Sequence, residues 1–391
     1  MDVTVHRGKN QIGGSIIEVR AGETRILLDA GRELDDDGSG PLPELPDLFE
    51  SAGFDALFLS HYHGDHAGLA YDVHKDIPIY IGEASSRMIR VSDRYRKKES
   101  FTPKGFLYDS QPIHIGEITV TPYLCDHSAF DSYMLLCESG GETILYTGDF
   151  RSNGRKSYNV LLKKLPRPVD RLICEGTTLS RENVRTLTEK ELEESAVKLF
   201  RNTAGPVFVL QAAMNIDRIV TMYRAAKCSG RVFLEDVYMA DIASAAGKSI
   251  PNPAFDDVYP FLTTPARYEE LAKYEKRVGK PFIARNRFVM CVRDSMLSYL
   301  KSLSGIMNLE GGLLVYSLWS GYCETESMKR FLSSCEELGL HIVSLHTSGH
   351  ADESALKKLV ETVNPDLLIP VHTENMGRFR EITSVPIEEA D

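Results

Sequence analysis

The stretch ALFLSHYHGDHAGL, residues 56–69, decides the fold of this chain. An apolar run at 56–59 is followed at once by His61, His63, Asp65 and His66, all of which can bind metal. In an extended chain, side chains two positions apart point the same way, so His61 and His63 can bind one ion. Asp65 and His66 lie where the loop turns into a helix, and they face a second position. Imidazole with carboxylate is typical of zinc, and less strictly of manganese or iron.

Four ligands in one loop do not complete two sites, and further candidates follow other strands. His127 ends a strand in YLCDHSAFDS, Asp149 ends one in ILYTGDF, and His372 ends the last strand in LLIPVHTEN. Asp29, in ILLDAG, also lies at a strand end, and we expect it to brace the ligand loop rather than to bind metal. The sequence therefore predicts a metal centre built from strand-to-loop edges.

These motifs carry a family resemblance. The H-x-H-x-D-H loop, the later single histidine and the T-G-D-F strand end resemble the metallo-β-lactamase fold, a four-layer αββα sandwich. Glu175 in LICEGTT, His350 in HTSGHAD and His372 in IPVHTEN are similar to motifs A, B and C of its β-CASP branch. That branch includes ribonuclease J and the mRNA 3′-end cleavage factors, and LWSGY at 318–322 is also similar to ribonuclease J.

The organisation of the chain agrees with this resemblance. At 391 residues two lobes are expected, because one hydrophobic core stops growing below that size. Short strands with intervening helices fill the first part, and an alternating βα block follows, interrupted by a Pro-rich connection at 251–265. We predict an α/β fold with a metallo-β-lactamase domain at 1–180 and 345–391 and an inserted α/β β-CASP domain at 181–344. The further C-terminal domain of ribonuclease J is expected to be absent.

The resemblance also implies roles for the site residues. It implies two zinc ions, with manganese as the alternative: His61, His63 and His127 hold the first, Asp65, His66 and His372 hold the second, and Asp149 bridges them. Asp65 would also orient the nucleophile in an attack by metal-bound hydroxide, and His350 would act as general acid with its ring held by Glu175. From the residues alone, His350 could simply precede a helix, and Glu175 could be an ordinary strand-end carboxylate.

Candidate substrate contacts are Ser348 and Gly349, beside His350, and Asn215 in QAAMNIDRI. Backbone N–H groups near the start of a helix favour an anion. Asn215 precedes a helix, so an N-cap role explains it as well as a phosphate contact does. Two basic stretches with interleaved aromatics, 87–98 and 273–288, suit either a nucleic-acid track or a solvated helix face.

Composition narrows the function classes. A net charge of −11 argues against a surface built for non-specific nucleic-acid binding. The N-terminus does not resemble a signal peptide, and no apolar run is long enough for a membrane span. Seven cysteines without a C-x-x-C pair indicate reduced thiols and a cytoplasmic protein. The oligomeric state stays open.

The favoured function is a metal-dependent hydrolase of phosphodiester bonds, a nuclease for which RNA is preferred over single-stranded DNA. Endonucleolytic and exonucleolytic cleavage both stay open. One alternative is a small-molecule metallo-hydrolase acting on a lactone, thioester or β-lactam, although the long insertion and His350 count against it. Another is a non-catalytic nucleic-acid-binding paralogue, although such proteins tend to lose ligands that this chain keeps.

Overall fold

The structure is a computed structural model, and it describes residues 1–34, 36, 40–180, 186–264 and 267–388. The chain forms two compact units. The first comprises Met1–Thr186 and Gly349–Asp391, and the second comprises Leu187–Ser348. The sequence placed the corresponding boundaries at 180/181 and 344/345.

The first unit contains two six-stranded sheets. One sheet has the strand order of the chain: β1 (Asp2–Arg7), β2 (Ile16–Ala21), β3 (Thr24–Ala30), β4 (Ala56–Phe58), β5 (Ile79–Gly82) and β6 (Gly105–Leu107). The other has, in spatial order, β18 (Leu367–Val371), β11 (Arg171–Glu175), β10 (Glu142–Tyr146), β9 (Ser132–Ser139), β8 (Ile118–Cys125) and β7 (Ile113–Ile115). The helices of this unit are α1 (Pro46–Phe49), α2 (Gly64–Ala67), α3 (Glu83–Arg96), α4 (Tyr158–Lys164), α12 (Glu353–Val363) and α13 (Phe379–Ile382).

Strand β9 shows why the two sheets stack. Its side chains alternate, as they must on a pleated strand. Tyr133 and Leu135 belong to the core between the sheets, whereas Met134 and Leu136 pack on the opposite side with α4, α12 and α13. Helix α3 lies against β5 of the other sheet and buries its own apolar face. Helices therefore cover the outer faces, and the predicted four-layer αββα fold is confirmed.

The second unit is a parallel α/β sheet with helices between its strands. Its spatial order is β14 (Val258–Phe261), β13 (Val232–Asp236), β15 (Phe288–Val292), β12 (Val207–Leu210), β16 (Leu313–Tyr316) and β17 (His341–Ser344). Its helices are α5 (Glu189–Asn202), α6 (Ile216–Cys228), α7 (Val237–Ala246), α8 (Tyr268–Ala272), α9 (Lys280–Arg285), α10 (Leu297–Ser304) and α11 (Glu326–Glu337). The inserted α/β domain is confirmed as a fold.

The prediction of a connection without a strand at 251–265 is wrong. The Pro-rich connection at 251–265 contains strand β14, which includes Pro260. Proline is tolerated there because β14 is an edge strand, where the missing N–H has no ladder partner to lose. Among the described helices, none is both long and apolar enough to cross a membrane.

Candidate metal centre

Strand direction brings the predicted ligands to one edge of each sheet. Strands β8 and β10 both pair antiparallel with β9, and β10, β11 and β18 are mutually parallel, so these four strands end at the same edge. His127, Asp149 and His372 follow three of these ends, and Glu175 is the last residue of β11. In the other sheet β3 and β4 are parallel, and the ligand loop follows β4.

The predicted ligands form two adjacent groups. In the first, ligand-type atoms of His61, His63 and His127 lie within 4.8 Å of one another. The second joins Asp65, His66, Asp149 and His372 within the same distance. Asp149 Oδ2 lies 3.2 Å from His66 Nε2, 3.8 Å from His127 Nε2 and 3.9 Å from His61 Nε2. Asp149 is therefore close to imidazoles of both groups.

Hydrogen bonds to the outer ring nitrogens fix how four of the imidazoles point. His66 Nδ1 contacts Asp29 Oδ2 at 2.7 Å, and His61 Nδ1 contacts Ser60 Oγ at 3.0 Å. The corresponding partners are the carbonyl of Gly349 for His127, at 2.5 Å, and Thr177 Oγ1 for His372, at 2.8 Å. A partner on Nδ1 leaves Nε2 turned inwards with a lone pair, which is how metal-binding histidines are usually held.

The inward-facing atoms lack hydrogen bonds. Nε2 of His61, Nε2 of His66 and both carboxylate oxygens of Asp149 are buried and make no hydrogen bond within the described ranges. Leaving buried polar atoms unsatisfied is costly, and native proteins rarely do so without a functional reason. Convergent, unsatisfied imidazole and carboxylate donors suit a divalent metal. The residues present therefore fit a divalent metal ion.

Electrostatics supports the same assignment for the three histidines of the first group. Burial, with repulsion from neighbouring imidazoles, holds the pKa of His61 well below its usual value, and burial also lowers the pKa of His63 and of His127. Neutral imidazoles are the form that binds metal. Burial opposes the charge on Asp149, but His372, His66 and His350 outweigh it and hold the pKa of Asp149 well below its usual value.

Asp29 braces the ligand loop as predicted. This fully buried carboxylate accepts hydrogen bonds from Ser60 N at 2.6 Å and from Ser60 Oγ at 2.7 Å, besides its contact with His66. The hydroxyl of Tyr146 donates to it from β10 at 2.7 Å. Asp29 therefore fixes the start of the ligand loop and one ligand ring together, and it ties both to the second sheet.

The backbone around the candidate ligands is turned sharply and tightly packed. His372 has φ +52° and Asp29 has φ +62°, in the left-handed region that is uncommon for residues other than glycine but is adopted more often by asparagine, aspartate and histidine. Gly148, just before Asp149, has φ +49°, and a Cβ there would lie 2.8 Å from Ser60. A Cβ on Gly31 would collide with the carbonyl of Asp65. These glycines let neighbouring segments approach the ligand loop closely.

His350 and Glu175 form a pair beside the ligands. His350 Nδ1 lies 3.1 Å from Glu175 Oε2 and 3.6 Å from Asp149 Oδ2, and Oε1 of Glu175 accepts from Phe150 N. Burial opposes the charge on His350, but the carboxylates of Glu175 and Asp149 outweigh it and raise the pKa of His350 to about 9. The His350 side chain is 21% exposed, whereas that of Glu175 is buried. A protonated imidazole thus faces the site with access to solvent.

The predicted substrate contacts are less clearly marked. The Asn215 side chain accepts from Arg218 N, so it caps helix α6, as the alternative interpretation has it. Gly349 holds His127 through its carbonyl, a role that the sequence did not suggest. Ser348 is partly buried at the end of the second unit. Phosphate contacts by these three residues stay predictions.

The two basic stretches lie in different units, and several side chains of the second stretch have partners. Residues 87–98 fall on the later turns of α3 and just beyond it. In 273–288, Lys273 pairs with Asp241, Lys276 donates to the carbonyl of Phe255, and Lys280 donates to Ser302. These contacts favour the interpretation of ordinary surface for much of the stretch 273–288.

Three residues that contact the imidazole rings of candidate ligands were not predicted in that role. Ser60 directly precedes His61, and Thr177 lies two residues after Glu175, so both had a local signal in a hydroxyl beside a predicted site residue. The Gly349 carbonyl had no such signal, because any residue type offers the same group.

Comparisons with known proteins agree with this geometry. Residues 11–192 match the metallo-beta-lactamase superfamily, and residues 337–381 match the Zn-dependent metallo-hydrolase RNA specificity domain. The chain is 24% identical to ribonuclease J of Sinorhizobium meliloti over 379 residues, which is 88% of this chain and 64% of that protein. It is 23% identical over 420 residues to the probable RNase MJ4 of Methanocaldococcus jannaschii, covering 96% of this chain and 94% of the relative.

A solved structure shows the same fold. The crystal structure of an Enterococcus faecalis protein of unknown function superposes with a TM-score of 0.83 at 21% identity, covering 100% of this chain and 97% of the other. The chain spans less than two thirds of the length of the Sinorhizobium ribonuclease J. The matched regions and the ribonuclease J relatives together support a metallo-hydrolase of the metallo-β-lactamase superfamily, similar to its β-CASP, ribonuclease J-like branch.

Proposed function

We propose that this protein is a metal-dependent nuclease that hydrolyses phosphodiester bonds in RNA. The observation that carries the proposal is the His350–Glu175 pair, 3.1 Å apart, directly beside Asp149 but outside the rest of the predicted ligand set. A generic metal hydrolase has little need of an extra proton donor. Cleaving a sugar–phosphate bond does need one, because the leaving hydroxyl departs poorly as an alkoxide. The relatives named ribonuclease J and RNase support RNA as the substrate.

We assign the ligands as the sequence predicted them. His61, His63 and His127 would hold one zinc ion, Asp65, His66 and His372 would hold the second, and Asp149 would bridge them. Two such ions, when bound, would polarise the phosphate and lower the pKa of water from ~15.7 towards ~7. The position of Asp149 close to imidazoles of both groups supports its bridging role.

The remaining steps belong to side chains of this chain. Asp65 Oδ2 lies 3.1 Å from His372 Nε2 and can accept a hydrogen bond from the attacking water, which orients it towards phosphorus. His350 gives its proton to the leaving oxygen. Glu175 is a positioning residue, because it holds Nδ1 of that ring and leaves Nε2 to face the substrate.

The activity is tested with four substrates. We expect the metal-loaded protein to cleave a 5′-labelled RNA in a time course read on a gel, and to turn over bis-p-nitrophenyl phosphate. Single-stranded DNA of the same sequence should be cleaved more slowly. Activity confined to a lactone would favour a small-molecule hydrolase, and a protein that retains no metal and cleaves nothing would be a binding paralogue.

Substituting His350 separates a nuclease from a generic metal hydrolase. His350→Ala should keep its metal but lose ~10²–10⁴-fold in rate on RNA, the usual contribution of general acid catalysis. On the p-nitrophenyl diester the loss should be far smaller, since p-nitrophenolate leaves unaided. The alkaline limb of the pH profile on RNA should disappear. Glu175→Gln should instead shift that limb to lower pH, because the carboxylate raises the pKa of His350.

His341→Ala, at an exposed histidine in the second unit, is the matched control and should change neither rate. Equal losses on both substrates with metal retained would mean that His350 binds phosphate rather than donating a proton. Loss of metal would make it a ligand.

A further inference from the structure

A second polar pocket lies in the first unit, between the loop that follows Asp149 and helix α12. It has a volume of about 400 Å³, which falls within the range of small-ligand sites. Its polar lining is basic, hydroxylic and amide in character, comprising Arg155, Lys156, Lys358, Ser152, Ser157, Ser354, Tyr158 and Asn159. None of these residues belongs to the metal centre.

The described lining of this pocket is basic, although the chain as a whole is acidic. No carboxylate is found among its described lining residues, although the protein carries a net charge of −11. Two acidic residues that contact lining residues are already used: Asp352 accepts from Ser354 Oγ and caps α12, and Asp126 accepts from Lys156 N and Arg151 Nε. Among the described lining residues, therefore, the charges of Lys156 and Lys358 have no carboxylate beside them.

Two of its ammonium groups are available to an anion. Lys358 Nζ donates to the Asn159 amide oxygen at 2.6 Å, and Lys156 Nζ lies 5.2 Å from the Phe130 ring. Neither lysine forms an ion pair with a carboxylate in the described part of the chain. The hydroxyl of Tyr158 on α4 donates to the Ala355 carbonyl on α12, and this hydrogen bond joins the two walls of the pocket. A pocket in which two lysines have no carboxylate partner among the described residues suits a phosphate group.

An RNA strand bound at the metal centre can reach this pocket, because both walls of the pocket lie close along the chain to residues of that centre. His350 precedes Ser354 by four residues, and four residues of fully extended chain span at most about 14 Å. On the other wall, the loop that carries Ser152 and Lys156 begins at Asp149 itself. Both walls are thus covalent continuations of segments that line the catalytic site.

We infer that this pocket binds a backbone phosphate of the RNA strand whose scissile phosphate lies at the metal centre. The inference rests on the proposed function and adds a subsite to it. The two lysines supply the charge and the hydroxyls of Ser152 and Ser157 donate to phosphate oxygens, so the proposed contacts read no particular base. Such an interaction would strengthen binding without sequence preference, and it would depend on salt.

The test is equilibrium binding of a fluorescein-labelled single-stranded RNA to metal-loaded protein, followed by anisotropy at several salt concentrations. Readings are taken in the cold, before a gel shows any cleavage. The test variant is the double substitution Lys156→Gln with Lys358→Gln. The control is Lys163→Gln with Lys357→Gln, which removes the same charge from exposed positions on α4 and α12 outside the pocket.

The pocket variant should bind RNA more weakly at low salt. The slope of log affinity against log salt should become shallower by about 0.7 for each phosphate of the single strand that the variant no longer neutralises. The control should keep the wild-type slope. Equal changes in both variants, or no change in the pocket variant, would overturn the subsite.

A further arm uses inorganic phosphate at constant ionic strength. If phosphate binds wild type but not the pocket variant, while both bind RNA alike, the pocket serves a free anion and the inference is wrong. Because binding is read without turnover, a protein that binds RNA through this pocket yet never cleaves it would refute the proposed function and leave the subsite standing.

Discussion

The most direct test of how the metal centre is built is the substitution Asp29→Asn. Asp29 Oδ1 accepts one hydrogen bond, from Ser60 N, and Oδ2 faces three donors, from Ser60 Oγ, His66 and Tyr146. Asparagine keeps the size of the side chain and tolerates the φ of +62° at this position. It has a single acceptor oxygen, however, so its amide N–H₂ must face at least one donor.

The expected losses of stability and metal affinity follow from the number of hydrogen bonds that asparagine can keep. If the asparagine oxygen stays on the side with three donors, only the bond from Ser60 N is lost, together with the charge. A hydrogen bond to a charged group is worth about 1.5–3 kcal/mol, which sets the loss in stability. The His66 ring also loses its anionic partner, and changes of this kind typically cost 10–100-fold in metal affinity.

The assay is competition for Zn²⁺ with a chromophoric chelator, alongside the thermal midpoint. Asp93→Asn is the matched control, because Asp93 is equally a buried carboxylate and accepts from Tyr71 and Ser100 without touching any ligand. It should lower the midpoint and leave zinc affinity unchanged. Unchanged zinc affinity in Asp29→Asn, or an equal loss of zinc affinity in the control, would refute the role of Asp29 in positioning the ligand loop.

Two further predictions concern the bridge and a buried acid. The wild-type protein should hold close to two equivalents of zinc, and Asp149→Ala should lose more metal than any other single ligand change; elemental analysis that finds one ion in both proteins would exclude the bridge. Glu235, fully buried on β13 with both oxygens unsatisfied among the described residues, has its pKa raised well above the usual value by burial and by Asp236. A raised carboxyl pKa favours folding at low pH, so stability should fall as pH rises above the unfolded value of 4.5, by up to about 1.4 kcal/mol per pH unit. Glu235→Met should therefore gain thermal midpoint relative to wild type between pH 5 and 8, and a constant difference would contradict the shift.

The convergence of the candidate ligands could be predicted because each lies just beyond a strand. A buried strand is visible as an apolar run, and parallel strands bring their ends to one edge, so residues as distant as His61 and His372 can be expected to meet. The role of Asp29 was predictable for the same reason. In each case one local pattern carries both the element and the functional group.

The partners that hold the rings could not all be predicted in that way. His127 bonds to a carbonyl 222 residues later, and His372 bonds to a hydroxyl 195 residues earlier. A carbonyl has no signature in the sequence, since every residue carries one. Strand β14 was missed for a different reason: its proline resembles a loop signal until the strand is known to lie at the sheet edge.

The basic residues show most clearly what a sequence leaves out. Runs of positive charge at 273–288 attract notice, yet several of these side chains contact the second unit's own carboxylates, carbonyls and hydroxyls. Lys156 and Lys358 lie 202 positions apart, within no conspicuous run, and the fold brings them to one pocket whose described lining residues include no carboxylate. What matters for binding a phosphate is the charge left unneutralised at a point in space, and a count along the chain does not measure it. In an acidic protein of this kind, the substrate track is therefore better sought where the fold has removed acidic neighbours than where the sequence has concentrated basic ones.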